Sequence, residues 1–424
     1  MYDSGGAMAK QYNYRSLHLD CARHFFSVET VKKVIEGISY GGLNVLHWHL
    51  TDDHAWRIES KKFPKLHESS GQYYTQVQIR EIIDYAKERG IDVIPEIDMP
   101  GHNLALLSVF PEYSCKGKPV TPAKARGVYK TILCAGKEET YAFVEELLDE
   151  VIPLFDSQYF HIGGDEAPKD EWKECPHCNA RMKTLGLTNY EDLQGYFTAC
   201  VCDVLKKYGK TPICWNDALL ATNLPEDIIV QYWTIDYGKE MLPFIEKGGK
   251  WIYSDMFELY FDYPHSMVPL RKVYEFMPHI YKYRIPKMEG LLGFEACTWT
   301  EHIDNEKDLC EQIFPRVYAL AERANGDEGI DYESFKKRVK EKIELLEKAG
   351  IPYTKEEAWD PKGKVRREDA LQFYFDMGKE VDEEEAKKQA ASAAPKLEFV
   401  LHFIKEFYKL WDIPFFLWKM ILKK

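Results

Sequence analysis

Short apolar runs alternate with longer amphipathic stretches from about residue 15 to residue 325. Strands buried on both faces are almost continuously apolar, whereas helices that cover a sheet carry a single apolar face. Eight such strand–helix units predict a parallel (β/α)8 TIM barrel of the α/β class. The predicted strands are Arg15–Asp20, Leu43–Leu50, Ile91–Asp98, Tyr159–Glu166, Thr211–Asp217, Ile228–Thr234, Lys250–Tyr260 and Leu291–Glu301.

One connection between the predicted strands is shorter than the others. Only Ala218–Asp227 separates the fifth strand from the sixth, which is too short for a full crossover helix, so this helix is predicted to be absent or a single turn. Elsewhere apolar residues recur at three- and four-residue spacing, which predicts helices over Glu29–Tyr40, Val77–Arg89, Glu138–Phe155, Tyr190–Lys207 and Asp304–Arg323.

The pattern divides the chain into three parts. Residues 1–14 are interpreted as a leader or vector-derived segment, residues 15–353 as the barrel, and residues 354–424 as a C-terminal helical extension. The extension has a charged stretch, Glu380–Lys388, followed by the basic and aromatic segment Leu397–Lys424. Such a segment can lie on a membrane surface, but docking on the barrel or pairing as a homodimer is the favoured interpretation.

Composition restricts the classes of partner. The 424 residues include 56 Lys and Arg against 69 Asp and Glu, a net charge of −13 that repels phosphate backbones, so nucleic acid is not expected to bind. No apolar run approaches the roughly 20 residues of a membrane span. Because the first ten residues lack the apolar stretch of a signal peptide, a cytoplasmic location is expected unless a native leader was removed.

Polar and aromatic residues follow almost every predicted strand. In a parallel barrel the carboxyl ends of the strands converge on one face, where the loops build the active site. The sequence therefore predicts one pocket, formed by Asp52, Asp98 with His102, Asp165 with Glu166, Trp215, Trp233, Tyr260 with Asp262, and Trp299 with Glu301.

Two adjacent carboxylates, Asp165 and Glu166, follow the fourth strand. Both can face one pocket only if the backbone bends, which Gly163 and Gly164 permit. Neighbouring acids in a dry pocket have their pKa values pushed apart, giving one neutral acid and one anion, as glycoside hydrolysis requires. An isolated Asp-Glu pair would more simply begin a helix, but its position at a strand end favours the catalytic interpretation.

Three tryptophans, Trp215, Trp233 and Trp299, each stand at the end of a predicted strand. An indole offers a flat apolar face and one polar N–H, which suits stacking on a sugar ring. A single tryptophan is more often part of the core. Three beside carboxylates favour a carbohydrate pocket.

Together these segments resemble family-20 glycoside hydrolases, the β-N-acetylhexosaminidases. The resemblance covers about residues 15 to 325 and keeps the family's order. The matching segments are Leu19–His24 (LDCARH), Asn44–Asp53 (NVLHWHLTDD), Ile94–His102 (IPEIDMPGH), His161–Glu166 (HIGGDE), Trp215–Asp217 (WND) and Trp299–Glu301 (WTE).

The resemblance implies exo-acting removal of terminal β-linked GlcNAc, or GalNAc, from an oligosaccharide or glycoconjugate. It also implies retaining, substrate-assisted catalysis, in which the substrate's acetamido oxygen attacks C1 and no enzyme nucleophile is needed. On this basis Glu166 is the general acid and base. Asp165 orients the acetamido N–H and balances the charge of the oxazolinium intermediate. No cofactor and no catalytic metal are implied.

The resemblance also implies roles for the residues around the catalytic pair. Asp98 and His161 are expected to support the pair, and Asp53, unlike Asp52, is expected to be structural. The residues expected to bind substrate are Arg23, Asp52, His102 and Glu301 at hydroxyl groups, Trp215, Trp233 and Trp299 as walls, Tyr260 at the acetamido carbonyl, and Asp262 at an outer hydroxyl.

The chain differs from many family members in its domain content, and two alternative functions stay open. Many family members carry a small α/β domain before the barrel, whereas here Arg15 already begins the first strand, so the chain resembles barrel-only members. A disaccharide-releasing hexosaminidase of the same family is one alternative. Another is a metal-dependent amidohydrolase, because His47-Trp48-His49 resembles that class's H-x-H metal pair, although later strand ends carry Trp and Tyr rather than further histidines.

The ten cysteines are too few for a disulfide scaffold in a chain of this length. Cys115 and Cys134 lie in the long segment Pro111–Ala135, which is expected to rim the pocket, and are either bridged or free. Cys175 and Cys178 have the C-x-x-C spacing of half a zinc site. Since no second half is visible, a loop thiol pair is the favoured interpretation, with a composite site completed by distant ligands left open.

Overall fold

The predicted strands close into a parallel barrel in the computed structural model, which describes residues 11–280, 288–326 and 331–377. Each strand pairs with the next in chain order, and the last pairs with the first. The α/β TIM-barrel prediction is confirmed. The strands are β1 (Tyr14–Asp20), β2 (Val45–His49), β3 (Asp92–Glu96), β4 (Tyr159–His161), β5 (Thr211–Trp215), β6 (Ile229–Tyr232), β7 (Trp251–Tyr253) and β8 (Leu291–Thr298).

Helices surround the barrel and also build its loops. Their apolar faces follow the predicted spacing; in the first helix, for example, Val31, Val34, Ile35 and Ile38 are buried. The helices are α1 (Val28–Tyr40), α2 (Lys65–Ser70), α3 (Gln76–Lys87), α4 (Leu104–Val109), α5 (Glu138–Val151), α6 (Asp170–Glu174), α7 (Pro176–Leu185), α8 (Tyr190–Lys207), α9 (Gly238–Glu246), α10 (Met256–Leu259), α11 (Leu270–Glu275), α12 (Glu306–Ile313), α13 (Arg316–Ala324), α14 (Tyr332–Lys348) and α15 (Gly363–Met377).

Short 3-10 helices complete the connections, and one of them confirms a prediction. The link between β5 and β6 holds a 3-10 helix, Asn216–Leu220, in place of a crossover helix. The others are Pro111–Tyr113, Ile152–Leu154, Ile235–Tyr237 and Glu356–Ala358.

The interior of the barrel changes from apolar to polar along the strands. Because strand side chains alternate between faces, Val45, His47 and His49 all point inward from β2. A small apolar cluster occupies the amino-terminal side, and ionisable residues lie beyond it toward the carboxyl ends. The apolar cluster consists of Tyr14, Val45, Ile94, Ile213, Ile229 and Ile252.

Several predicted boundaries were wrong. β7 ends at Tyr253 rather than Tyr260, because the Asp255 side chain accepts the N–H of Phe257 at 2.9 Å and begins α10. β4 ends at His161 rather than Glu166. The helix predicted over Asp304–Arg323 is two helices, α12 and α13, with Pro315 between them, a residue that has no N–H to donate within a helix.

Part of the predicted C-terminal extension lies within the described residues. In α15, Leu371 is buried and Arg366 donates from Nε to the Ser266 carbonyl at 2.7 Å. The Phe373 ring lies 5.4 Å from that of Tyr263, so α15 packs on the loop after β7. Residues 1–10, the charged stretch Glu380–Lys388 and the segment Leu397–Lys424 lie outside the described residues, and the boundary at 353/354 stays a prediction.

In the part of the chain that the structure describes, none of the helices combines the length and the apolar character that crossing a membrane requires.

Candidate active site

The backbone turns sharply after β4 and brings two carboxyl groups to one place. Gly163, Gly164 and Glu166 have φ angles of 64°, 100° and 44°. A Cβ on Gly163 would lie 1.8 Å from Asp98 Oδ1, so only glycine fits there. As a result Asp165 Oδ2 and Glu166 Oε2 lie 3.5 and 3.7 Å from the same atom, His102 Nε2.

Asp98, predicted to support the pair, lies beneath this turn. It is fully buried, and its Oδ1 accepts the N–H of Gly164 at 3.0 Å. Burial and the neighbouring Asp165 carboxylate raise the pKa of Asp98 well above its ordinary value. A neutral Asp98 therefore leaves the negative charge on Asp165.

The adjacent carboxyl groups have pKa values shifted in opposite directions. Burial, together with the Asp165 charge, raises the pKa of Glu166 to about 7. Burial also favours neutral Asp165, but the facing His102 outweighs it and lowers the pKa of Asp165. Near neutral pH this arrangement provides an acid beside an anion, as the sequence predicts.

His102 connects the pair to a second acidic group. Its Nδ1 lies 3.2 Å from Asp53 Oδ2 and 3.5 Å from Asp52 Oδ2. Burial lowers the pKa of His102, but the surrounding carboxylates, Asp52 and Asp165 foremost, raise it well above the ordinary value. Asp53 also accepts the N–H of Leu104 at 2.9 Å, a contact that positions the start of α4 and fits its expected structural role.

Arg23 forms an ion pair with Asp52 at 2.7 Å between Nη2 and Oδ2. Its guanidinium carbon lies 4.8 Å from the centre of the Trp299 ring, a cation–π contact. Trp299 in turn lies 5.9 Å from Trp215, centre to centre. The predicted hydroxyl-binding residues and the aromatic walls are therefore neighbours.

Trp233 and Tyr260 continue the row of aromatic side chains beyond Trp299. Their rings are nearly parallel, 6.3 Å apart, and Tyr260 lies 6.4 Å from Trp299. Trp233 donates from Nε1 to Asp217 Oδ2 at 2.7 Å, while Asp217 Oδ1 accepts the N–H of Glu166 at 3.1 Å. Burial, with the nearby Asp165 charge, raises the pKa of Asp217 to about 8.

These contacts close on themselves. We use the name mouth ring for the eight residues that these contacts join one after another. Glu166 takes part through its backbone N–H, which Asp217 accepts, and through its carboxyl group, which faces His102. The eight residues are Glu166, Asp217, Trp233, Tyr260, Trp299, Arg23, Asp52 and His102. Three predicted binding residues, Trp215, Asp262 and Glu301, are not members of it. Asp262 is half-buried, and burial together with Glu301 raises the pKa of Asp262 well above its ordinary value, while Glu301 is exposed.

Glu96 is a central residue that the sequence reasoning did not single out. It accepts Trp215 Nε1 at 2.8 Å, lies 2.9 Å from His161 Nδ1, and contacts His49. It thus holds the predicted wall Trp215 in place and connects it to His161, which was predicted to be a supporting residue. The signal in the sequence is a glutamate inside an apolar strand, a position where a charge is buried only with partners.

His47 and His49 form ion pairs with carboxylates. His47 Nδ1 lies 2.8 Å from Glu295 Oε1 and its Nε2 lies 3.2 Å from Glu96 Oε2. Burial opposes the charged form of both histidines, but these carboxylates raise the pKa of His47 to about 9 and that of His49 to about 10. Both ring nitrogens of His47 thus face carboxylates inside the barrel, which gives this residue of the H-x-H motif a structural role.

Cys175 and Cys178, interpreted from the sequence as a loop thiol pair, have two further thiols as neighbours. The fold brings their sulfur atoms together with those of Cys115 and Cys134, and all four lie within 4.8 Å of one another. The two pairs are distant in sequence, so spacing alone does not reveal the cluster. None of these four cysteines is a member of the mouth ring.

The fold and the mouth ring define a site at the carboxyl face of an α/β barrel, where an acid and an anion, Glu166 and Asp165, lie near aromatic side chains. The profile described as "Glycosyl hydrolase family 20, catalytic domain" matches residues 12–326, and the chain belongs to this family. The resemblance stated from the motifs is confirmed, and membership excludes the amidohydrolase alternative.

Individual relatives agree with this assignment. A beta-hexosaminidase of Porphyromonas gingivalis is 35% identical over 372 residues, which cover 81% of this chain and 47% of that protein. The structure of a chitobiase from Flavobacterium johnsoniae has 37% identity and a TM-score of 0.73, over 80% of this chain and 52% of that one. An exo beta-N-acetylglucosaminidase from Vibrio harveyi, solved with N-acetylglucosamine, has 31% identity and a TM-score of 0.72, over 81% and 59%.

The chain spans about half the length of the curated relatives that it matches, 47% and 56% for those of P. gingivalis and Vibrio furnissii. Activity, substrates and partners of the whole protein are therefore matters for proposal.

Proposed function

We propose that this protein removes terminal β-linked N-acetylhexosamine from glycans by retaining, substrate-assisted hydrolysis. The observation that carries the proposal is the placement of two adjacent carboxyl groups at one point, where Asp165 Oδ2 and Glu166 Oε2 lie 3.5 and 3.7 Å from His102 Nε2. The opposite pKa shifts of the pair, with Glu166 raised to about 7 and Asp165 lowered, agree with it. Family membership and the beta-hexosaminidases among its relatives support the same activity.

In the first step the substrate supplies its own nucleophile. Asp165 accepts the acetamido N–H, which increases the electron density on the acetamido carbonyl oxygen. That oxygen forms a bond to C1 as the glycosidic bond breaks, and Glu166 gives its proton to the departing oxygen. The Asp165 carboxylate balances the positive charge of the resulting oxazolinium ion.

In the second step Glu166 acts as a base. As a carboxylate it takes a proton from water, whose oxygen attacks C1 and reopens the oxazoline ring. Two inversions at C1 leave the anomeric configuration unchanged. The enzyme returns to its starting protonation state, with Glu166 neutral and Asp165 charged.

The aromatic walls define the sugar position in this proposal. Trp215, Trp233 and Trp299 offer apolar faces to the ring and to the acetamido methyl group, and Tyr260 is assigned to the acetamido carbonyl. Arg23 and Asp262 are assigned to hydroxyl groups of the terminal sugar, and these contacts would decide between gluco and galacto epimers.

The test compares aryl β-N-acetylglucosaminide with its galacto epimer and with the plain β-glucoside, each with and without a chelator. Hydrolysis confined to the acetamido sugars and unaffected by brief chelation supports the proposal. Hydrolysis of the plain glucoside at a comparable rate would overturn it, because that sugar carries no internal nucleophile.

Chitotetraose separates exo action from the release of a disaccharide. Exo action first yields equal amounts of N-acetylglucosamine and chitotriose. Early N,N′-diacetylchitobiose without the monosaccharide or chitotriose would replace the exo assignment by disaccharide release. Glu174→Gln, an exposed acid on α6, serves as the control variant for purification and folding.

A further inference from the structure

Four cysteine thiols lie together beside the loop that carries the catalytic pair. Cys115 and Cys134 come from the segment between α4 and α5, and Cys175 and Cys178 come from the start of α7. Three of them are buried and Cys115 is half-buried. The cluster therefore joins two loops on the carboxyl side of the barrel that are far apart in sequence.

The sulfur–sulfur distances match a tetrahedral metal site. Cys178 Sγ lies 3.8 Å from Cys115 Sγ and 3.6 Å from Cys134 Sγ, and Cys134 Sγ lies 3.8 Å from Cys175 Sγ. With Zn–S bonds of about 2.3 Å, the edges of a regular ZnS4 tetrahedron are about 3.8 Å long. All four atoms lie within 4.8 Å of one another, as one shared ion requires.

The same distances do not favour particular disulfides. A bridge needs two sulfur atoms about 2.05 Å apart, and all ten cysteines are free in the structure. Cys134 lies almost as near to Cys175 as to Cys178, so no pairing of four thiols into two bridges stands out. A single central ion satisfies all four equally.

The surroundings suit a negatively charged thiolate centre. Cys175 stands immediately before α7, whose first N–H groups favour negative charge. The backbone N–H of Gly136 donates to Cys134. A Cβ on Gly136 would lie 2.1 Å from the nitrogen of Cys178, so glycine allows the two chain segments to approach closely. Arg181 forms an ion pair with Glu138 and donates to the Gly136 carbonyl at 3.3 Å, which fixes the backbone next to Cys134.

We propose that Cys115, Cys134, Cys175 and Cys178 bind one structural Zn²⁺ ion. Four deprotonated cysteines and a closed coordination shell are the donor set of structural zinc, and binding releases the thiol protons without any change of oxidation state. The ion ties the loop before α5 to α7 and so holds the segment that follows Glu166. This inference does not depend on the proposed hydrolase activity.

Neighbouring contacts show how the ion would act on the catalytic loop. Trp172 donates from Nε1 to the Leu133 carbonyl at 3.0 Å, and Leu133 donates its N–H to the Pro100 carbonyl, also at 3.0 Å. Pro100 precedes His102 by two residues. The zinc ion therefore supports the same backbone that positions the histidine between the two carboxylate pairs.

The test measures metal content and thiol state of the whole chain. The protein is purified by gel filtration in metal-free buffer, and its zinc is measured by mass spectrometry. The expected result is one zinc ion per chain. Loading with Co²⁺ in place of zinc should give the intense visible absorption of a tetrahedral tetrathiolate site. Brief chelation under native conditions should remove little metal because the site is buried.

Variants locate the metal without reference to activity. Cys175→Ser combined with Cys178→Ser should reduce bound zinc to background. Cys200→Ser, a half-buried cysteine on α8 outside the cluster, should keep it. If the double variant fails to fold, Cys115→Ser alone, at the half-buried position, should still lower zinc content and should weaken and shift the cobalt absorption, because one thiolate ligand is lost.

Other outcomes overturn the proposal. An intact mass lower by two or four hydrogen atoms, without metal, would show disulfides instead. Stoichiometric iron would identify a different metal. Four freely titrating thiols in a metal-free protein would show that the cluster binds no ion.

Discussion

The proton on Glu166 should control catalysis on the alkaline side of the pH profile. With a pKa of about 7, Glu166 is half protonated at that pH. The protonated fraction is about 90% one pH unit below and about 10% one unit above, so kcat/KM should fall about tenfold per pH unit above pH 8. The shift comes from burial and from Asp165 and is opposed by His102.

Glu166→Gln tests this assignment because it keeps the shape of the side chain and removes the proton. A general acid contributes about 10²–10⁴-fold, so kcat/KM should fall by this factor on a disaccharide, whose leaving oxygen must be protonated. An aryl glycoside with a strongly acidic phenol needs little protonation, so the first step on that substrate should lose much less. The alkaline limb near pH 7 should disappear from the profile of the variant.

The assay is kcat/KM from pH 4 to pH 10 on substrates of graded leaving-group acidity. Asp165→Asn is the contrasting variant: it should slow all substrates alike, and it should move the alkaline limb to lower pH because it removes a charge that raises the pKa of Glu166. The reasoning is refuted if Glu166→Gln keeps an alkaline limb near pH 7 and the wild-type dependence on leaving group.

Three further predictions concern the supporting structure. Gly163→Ala should lower the unfolding free energy by at least about 2 kcal/mol, because φ is 64° and the added Cβ would overlap Asp98. Gly186→Ala is the control, since Gly186 has a φ of 67° but open space around it. Equal losses of thermal stability in the two variants would contradict the overlap with Asp98. Trp233→Phe removes the N–H donated to Asp217, so kcat/KM should drop about 10–100-fold; an unchanged value would contradict that role. The pKa values of His47 and His49 are raised from 6.5 to about 9 and 10, so their stabilisation is complete below pH 6.5 and is lost as pH rises through 9 to 10. The melting temperature should fall over that range, and less so in His49→Gln; an identical fall in both proteins would count against the ion pairs.

The sequence predicted the barrel because local periodicity records which face of each element is buried. The structure contains all eight predicted strands and the predicted short link before β6. The errors fall where short-range polar contacts decide: the Asp255 side chain starts α10 where the apolar run predicted a longer β7, and Pro315 separates two helices whose apolar spacing is continuous. Hydrophobic pattern does not register such caps and interruptions.

The sequence predicted the site residues that follow strand ends. It did not predict residues whose role depends on contacts between segments that are distant in the chain. Asp165, Glu166, His102 and the tryptophans follow strand ends, so topology alone brings them together. Glu96 differs, because its importance comes from partners on other strands. The cysteine cluster is a second such case: 41 residues separate Cys134 from Cys175, and only the folded loops bring these thiols together.

The most direct test of the account is the participation of the substrate's own acetamido group. Aryl β-glucosaminides with mono-, di- and trifluorinated N-acetyl groups form a series in which the carbonyl oxygen becomes progressively less nucleophilic while the leaving group is unchanged. We predict that kcat/KM of the wild-type enzyme falls steeply with each added fluorine, because the attacking oxygen becomes a weaker nucleophile. A rate that stays constant along the series would show that the acetamido oxygen does not attack C1, and would contradict substrate-assisted catalysis by this chain.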